Sequence, residues 1–207
     1  MNNLPFDTTG LCAEEIERMH ETYKALKEKY SIQFTGDIDF HLEQFEVFKN
    51  YPNISVRDCY VIKQDNNNDT YMLFIETQSQ TVDEHGSIGN YCEYQTWALA
   101  YVKRDFGRVM IRRETLTDKI IELLHPIELD FEEDKPFSDT FYVLVSDREK
   151  ARNAITRSFR NAVMDIREDD FVIEIINHTL IIGNNRPASY EKAIYLADFV
   201  VRICERC

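Results

Sequence analysis

The first regular pattern in the chain is a stripe of apolar residues at helical spacing. It predicts a helix that begins after the polar residues 7–9, which can cap its first turn, and ends near Tyr30. Because the stripe lasts for only about two heptads, we expect it to face the core of the domain and not a coiled-coil partner. The stripe consists of Ile16, Met19, Tyr23, Leu26 and Tyr30.

From Gly36 onward, apolar residues alternate with polar ones, as they do in half-buried β-strands. Polar or glycine-containing segments separate the alternating stretches, which favours hairpin connections. We therefore expect a five-stranded antiparallel meander after the first helix. Its strands are predicted at about residues 37–43, 54–63, 71–77, 91–103 and 108–113.

The second half of the chain predicts a different order of helices and strands. A short helix near residues 115–125 is expected to end at Pro126, and an acidic loop follows at residues 130–134. The remaining pattern predicts a β-α-β-β-α unit, in which Asn177 and His178 form the tight turn between its last two strands. Its elements are predicted at residues 141–145, from Ser146 or Asp147 to about Arg167, and at 171–176, 179–182 and 189–204.

These elements predict an α+β fold: a helix plus antiparallel meander at residues 1–126 and a β-α-β-β-α unit at residues 127–207, packed as one unit. The length of 207 residues and the hydrophobic fraction of 43% agree with a packed domain of this kind.

The net charge of −13 narrows the choice of partners. A strongly acidic surface repels nucleic-acid phosphates and anionic lipid, so we expect neither nucleic-acid binding nor docking on anionic lipid. The lack of a long apolar run predicts no direct membrane insertion. The five cysteines are scattered, and the chain has no signal-like start and no apolar run of about 18 residues. These features predict a cytoplasmic protein with reduced thiols.

One segment has a recognisable pattern. Residues 137–152 read F-x3-F-x-V-x3-D-x3-A-R after an acidic stretch, and they resemble the signature of an uncharacterised bacterial domain family. Many members of that family are similar to membrane-anchored proteins that carry this domain in their soluble part. Because no activity is known for the family, the resemblance implies no catalytic residues.

The same positions can also be explained by folding alone. Phe141 and Val143 share one face of a strand, and Asp147 is suited to cap the helix that follows. Ala151 permits close packing of helix on sheet, and Arg152 can pair with the acidic loop. The pattern therefore indicates a fold and not an activity.

The best candidate for chemistry is the sequence Asp37-x-Asp39-x-His41-x-Glu43. On a strand, these side chains would line one face at intervals of about 6.5–7 Å. Carboxylate and imidazole groups of this kind suit a divalent cation or an acid/base pair. The alternative is that they form the solvent face of an amphipathic strand. No other cofactor is predicted.

Basic residues cluster at 103–113 and 148–160. They can balance nearby carboxylates, or they can bind an acidic partner or another copy of the chain.

The chain contains no nucleophile elbow, phosphate loop or zinc-protease motif. We therefore expect a non-catalytic protein-binding or assembly module, with a protein partner or self-association as a homodimer. One alternative is a metal-assisted hydrolase that uses Asp39, His41 and Glu43. Another is an acidic inhibitor or immunity-type protein that covers a basic active site.

Overall fold

The computed structural model describes residues 6–64, 68–82, 88–113, 127–168 and 170–206. Within these ranges, nine strands form a single sheet in which every neighbouring pair is antiparallel. The order is β1-β2-β3-β4-β9-β8-β5-β7-β6, and the predicted α+β fold is confirmed. The strands are β1 (Ile32–Phe34), β2 (Asn53–Ile62), β3 (Thr70–Val82), β4 (Ile88–Tyr101), β5 (Arg108–Arg113), β6 (Ile127–Glu128), β7 (Phe141–Val145), β8 (Val172–Ile176) and β9 (Thr179–Pro187).

The prediction of a five-stranded meander is wrong in its first and last strands. The first strand of the sheet is Ile32–Phe34, which precedes the predicted residues 37–43. Strands β1 to β4 follow one another, but β4 pairs with β9, and β5 lies between β8 and β7. The connection from β4 to β5 passes around the tip of the β8–β9 hairpin, where Val102 N–H donates to the His178 carbonyl and Phe106 N–H to that of Asn177. The hairpin therefore separates β4 from β5. Asn177 has a φ of 54°, as the predicted tight turn requires.

The first helix contains the predicted apolar stripe, but its N-cap is not one of the predicted residues. The first helix begins at Ala13, because Cys12 is its N-cap and the Glu15 carboxylate accepts from the Cys12 N–H at 2.8 Å. The predicted caps at residues 7–9 instead form a local turn, in which Asp7 accepts from the Thr9 N–H. The helices are α1 (Ala13–Lys29), α2 (Lys135–Ser138), α3 (Arg148–Ala154), α4 (Arg157–Met164) and α5 (Tyr190–Arg206), and 3-10 turns span Leu42–Gln44 and Glu46–Phe48.

The helix predicted from Ser146 or Asp147 to Arg167 is divided into α3 and α4. Asp147 caps α3 as expected and accepts from the N–H groups of Glu149 and Lys150 at 3.0 Å each. The break follows from a second cap, because Thr156 Oγ1 accepts from the Phe159 N–H at 3.3 Å and begins α4. The short helix predicted near residues 115–125 lies outside the described residues.

The sheet has an apolar core on each face. Met72 and Phe74 of β3 belong to the core under the helices, whereas Leu73 and Ile75 belong to a second core on the other face, as strand alternation requires. Met19 and Leu26 of α1 are buried in the first core, which confirms the predicted inward stripe. The segment that follows β1 covers the second core with the side chains of Phe40, Leu42, Phe45 and Phe48.

The pattern at residues 137–152 has the folding roles expected of it. Phe137, Phe141, Val143 and Ala151 are buried, and Arg152 donates to the backbone carbonyl of Asp130 in the acidic loop.

Some residues of the two basic clusters are balanced by nearby carboxylates, as one of the two sequence interpretations expects. Lys150 pairs with Asp105 at 2.7 Å, and Arg160 pairs with Asp134 at 2.7 Å. Within the described ranges, none of the helices is both long enough and apolar enough to cross a bilayer.

Candidate functional site

The segment that carries the predicted cluster is not a strand. Strand β1 ends at Phe34, and Gly36, with a φ of 72°, turns the chain away from β2. A positive φ is accessible to glycine without steric cost. His41 also has a left-handed backbone, with a φ of 51°, and a 3-10 turn begins at Leu42. The prediction that residues 37–43 form one face of a strand is therefore wrong.

The turn nevertheless brings three of the four predicted residues together. His41 Nδ1 lies 3.3 Å from an Asp39 carboxylate oxygen and 3.5 Å from a Glu43 oxygen. One ligand atom from each of these residues lies within 4.8 Å of the others, whereas Asp37 is not part of the group. The His41 N–H donates to Asp39 Oδ1 at 2.8 Å, which holds the turn in place.

All three side chains are open to solvent, with exposed fractions of 67% for His41, 75% for Asp39 and 74% for Glu43. A cation at this point would be held from one side and would complete its shell with water. The cluster therefore offers oxygen and nitrogen ligands without an enclosed cavity around them.

The same segment forms one wall of a groove of about 450 Å³. Residues 36–40, 42 and 43 line this wall, and residues 54–59 of β2 line the other. We call it the edge groove. Strand β2 pairs with β1 only at Tyr60–Ile62, and Thr35 N–H adds one bond to the Cys59 carbonyl. Beyond that point, residues 53–56 and Asp58 of β2 are paired with β3 alone, and Arg57 lies at a bulge, so the groove runs along an open edge of the sheet.

The carboxylates give the edge groove a negative rim. Asp37, Asp39 and Glu43 are exposed on one wall. Arg57 on the other wall does not balance them, because its guanidinium pairs with Glu76 at 3.0 Å and lies 3.8 Å from Asp7. The rim is therefore negative, and its charges face a channel that is open to solvent.

Asp58 is a buried acid that also lines the edge groove. Its side chain is 4% exposed, and its Oδ2 has no hydrogen-bond partner among the described residues. Burial, opposed by a hydrogen bond from the Asp7 backbone, raises the pKa of Asp58 from its ordinary value of 3.8 to about 6. A β-bulge lies beside it, because the register between β2 and β3 shifts between Val56 and Asp58.

Apolar side chains lie at the same groove. Phe34 and Ile38 line it and are 58% and 39% exposed. Two large apolar side chains are therefore accessible beside the open strand edge.

A buried ionic contact fixes the wall that carries the rim. Arg108 of β5 donates to Glu46 at 3.0 Å and to the Gln44 carbonyl. Glu174 of β8 accepts from the Val47 N–H at 3.2 Å, and its carboxylate lies 3.8 Å from Arg108. Burial raises the pKa of Glu174. The segment is thus attached to the middle of the sheet, and its outer part stands over the edge.

A second cavity of about 390 Å³ contains the buried residue Lys192. Burial lowers the pKa of Lys192 to about 8. Its ammonium group donates to Asn184 and, at 2.9 Å, to the Arg186 carbonyl, and Asn184 donates to Asp170 at 3.0 Å. These polar groups bond to one another, which is the arrangement of a structural network.

Sequence reasoning identified the acidic residues of the edge groove but missed Phe34, Arg57 and Asp58. Asp58 carried a usable signal, because it is a lone carboxylate within the apolar stretch from Val56 to Ile62. Nothing local indicated that β1 would be too short to cover β2.

The chain matches no family model and no curated protein. Among solved structures, its fold is similar to that in the crystal structure of the mycobacterial trehalose monomycolate transport factor A, TtfA. The TM-score is 0.58, and the alignment covers 89% of this chain and 91% of that chain at 10% sequence identity. At this identity the likeness concerns the fold alone. The resemblance of residues 137–152 to a bacterial domain family stays a prediction.

Proposed function

We propose that the protein is a non-catalytic binding module that holds another protein at the edge groove. The single observation that carries this proposal is the open edge of β2, which lies beside exposed apolar side chains and a rim of three carboxylates. Unpaired strand edges recruit other chains, and the negative rim favours a partner with positive charge. TtfA is described as a transport factor, and that description agrees with an accessory role.

Photo-crosslinking in cells that naturally express the protein tests this proposal. A photoreactive phenylalanine analogue replaces Ile38 at the edge groove or, as a control, Met164 at the end of α4. Both side chains are 39% exposed, so their access to random collisions is matched. We expect a discrete adduct from position 38 and none from position 164. No adduct from position 38, or the same adducts from both, would contradict the proposal.

The identity of the captured protein separates two forms of this function. If the protein is an acidic inhibitor or immunity-type protein, the crosslinked partner should be an enzyme with a basic active site, and the activity of that enzyme should fall in the complex. If the protein is an assembly module, binding should leave the activity of the crosslinked partner unchanged.

A metal-assisted hydrolase is the second candidate, and the proximity of Asp39, His41 and Glu43 favours it. Calorimetric titration with Zn²⁺ and Mn²⁺ tests the cluster. If the candidate is correct, binding with one ion per chain is lost in His41→Ala and retained in His20→Ala, which removes an exposed histidine of α1. Equal heats from both variants would remove this candidate.

A further inference from the structure

The edge groove has the shape and chemistry to take an extended peptide. The geometry points to strand addition: an extended segment of a partner protein, alternating apolar residues with Lys or Arg, pairs with residues 53–58 of β2 as an additional strand of the sheet. This inference rests on the proposed function, and it names the partner's class and the manner in which it binds.

The backbone of β2 supplies the first part of the argument. Strand β2 has ten residues, and β1 covers it only at Tyr60–Ile62. Among the described residues, no backbone hydrogen bond joins residues 53–58 to the opposite wall of the groove. This edge is about 20 Å long at about 3.3 Å per residue, which accommodates an added strand of five or six residues. Main-chain hydrogen bonds to such an edge provide affinity, and alternate side chains provide specificity.

The side chains of the groove select the residues of that strand. Phe34 and Ile38 offer apolar contacts to one set of alternate side chains. Asp37, Asp39 and Glu43 offer ion pairs to the other set, because Arg57 is already paired with Glu76. A strand that alternates apolar and basic residues satisfies both.

The same charges argue against a second copy of this chain as the occupant. Two copies paired edge to edge would bring identical acidic rims together, and like charges at that distance repel. An oppositely charged strand from another protein meets no such repulsion.

Fluorescence polarisation with the full-length purified chain tests the inference. The probe is a labelled peptide of about ten residues that alternates Val or Ile with Lys or Arg, and a second peptide carries Glu in place of every basic residue. We expect saturable binding of the basic peptide and at least about tenfold weaker binding of the acidic one, with an affinity that falls as salt rises. Equal binding of the two peptides would overturn the charge argument.

Backbone methylation tests strand pairing without changing the protein. Two versions of the basic peptide carry N-methyl groups on one or the other set of alternate amides, so each blocks one edge of the strand. A strand that adds to β2 uses one edge only, so one version should lose about tenfold or more in affinity and the other should bind within about threefold of the parent. If both versions bind as the parent does, strand addition is wrong.

A charge variant of the protein completes the test. Asp37→Asn, Asp39→Asn and Glu43→Gln together should weaken the basic peptide about tenfold and flatten its salt dependence. The matched control, Glu17→Gln, Glu21→Gln and Glu132→Gln, removes the same charge from exposed positions elsewhere and should bind as the parent does. Equal loss in both would mean that net charge, and not the groove, attracts the peptide.

The outcomes separate this inference from the proposed function. An adduct at position 38 together with no peptide binding overturns strand addition and leaves a binding module with another mode of contact. No adduct at position 38 contradicts the module itself. Light scattering that finds a dimer of the chain which dissociates as the basic peptide binds would place a second copy at the edge and overturn the inference.

Discussion

Asp58 is a buried carboxylic acid beside the edge groove, and its burial opposes folding at neutral pH. Its carboxyl group is buried in a strand of apolar neighbours, and its Oδ2 is unpaired within the described structure. The pKa is raised to about 6, so above that pH the folded state holds a buried charge that the unfolded state would hydrate.

Replacing Asp58 by Asn should therefore stabilise the protein. The raised pKa means that the native state binds more protons than the unfolded state between pH 3.8 and about 6, so the destabilising effect of Asp58 grows across that window and is complete above it. We expect Asp58→Asn to raise the free energy of unfolding by about 1–2 kcal/mol at pH 7 and to have little effect below pH 4. Urea unfolding at several pH values measures this, with the exposed Asp37→Asn as control. A gain that does not change with pH would rule out the buried charge as its cause.

Position 183 has room for glycine only, because Trp97 of β4 lies opposite it in the sheet. A Cβ on Gly183 would lie 2.4 Å from the indole ring. Trp97 is itself 1% exposed and donates to Gln95 at 3.0 Å, so it has no room to move.

Gly183→Ala should destabilise the protein by about 1–3 kcal/mol, because an added methyl group in a packed core forces neighbours out of their rotamers. Trp97 is the single tryptophan of the chain, so its fluorescence follows unfolding directly. The control is Asn185→Ala, an exposed position on the same strand, and a similar loss there would show that the strand is sensitive to any change.

At the scale of elements, the segment between β1 and β2 depends on contacts far away in sequence. Phe45 and Phe48 pack on the second core, and Phe48 stacks edge-on against Trp97 at a ring distance of 4.8 Å. Arg108 fixes the same segment through Glu46 and Glu174. The position of the acidic rim therefore depends on β5 and β8 as much as on its own residues.

Arg108→Met should test this dependence. It leaves the buried carboxylate of Glu174 without its cation and leaves Glu46 paired with Lys49 alone. We expect a loss of about 2–4 kcal/mol in the free energy of unfolding. The double variant Arg108→Met, Glu174→Gln removes the unpaired charge and should recover part of that loss. Chemical denaturation of the two variants compares them. If the double variant is no more stable than the single one, the ion pair is not what holds the segment.

At the scale of the whole molecule, the two halves of the sequence share one sheet. Strand β4, from the first half, pairs with β9 from the second, and Lys29 of α1 pairs with Asp198 of α5 at 2.6 Å. Separating the halves would expose the edge of β4 that pairs with β9 and would break the contact between α1 and α5. The charge of −13 lies on this shared framework, with three exposed carboxylates at the open edge and some of the basic residues paired with carboxylates.

One cooperative unfolding transition is therefore expected for the full chain. Trp97 fluorescence reports on β4, and circular dichroism at 222 nm is dominated by the helices, so the two signals should give the same midpoint in urea. Residues 1–126 expressed alone should lack this transition, since the β4 edge would have lost β9. Separate midpoints would mean that the halves unfold independently.

Local patterns determined the elements whose stability depends on near neighbours. The inward stripe of α1, the Asp147 cap and the turn at Asn177 were all predicted, because each depends on residues within a few positions of it. The carboxylates and histidine at residues 37–43 were also identified, although for a strand that does not exist.

The tertiary structure alone decided what those residues form. The alternation at residues 37–43 is compatible with a strand, and it is equally compatible with a loop whose Phe40 and Leu42 side chains are buried in a core. Only the packing of this segment on the sheet distinguishes the two structures. The place of β5 and the uncovered edge of β2 likewise depend on pairing between residues far apart in sequence. The sequence thus supplied the acidic groups, and long-range pairing placed them beside an open strand edge, because β1 ends after three residues.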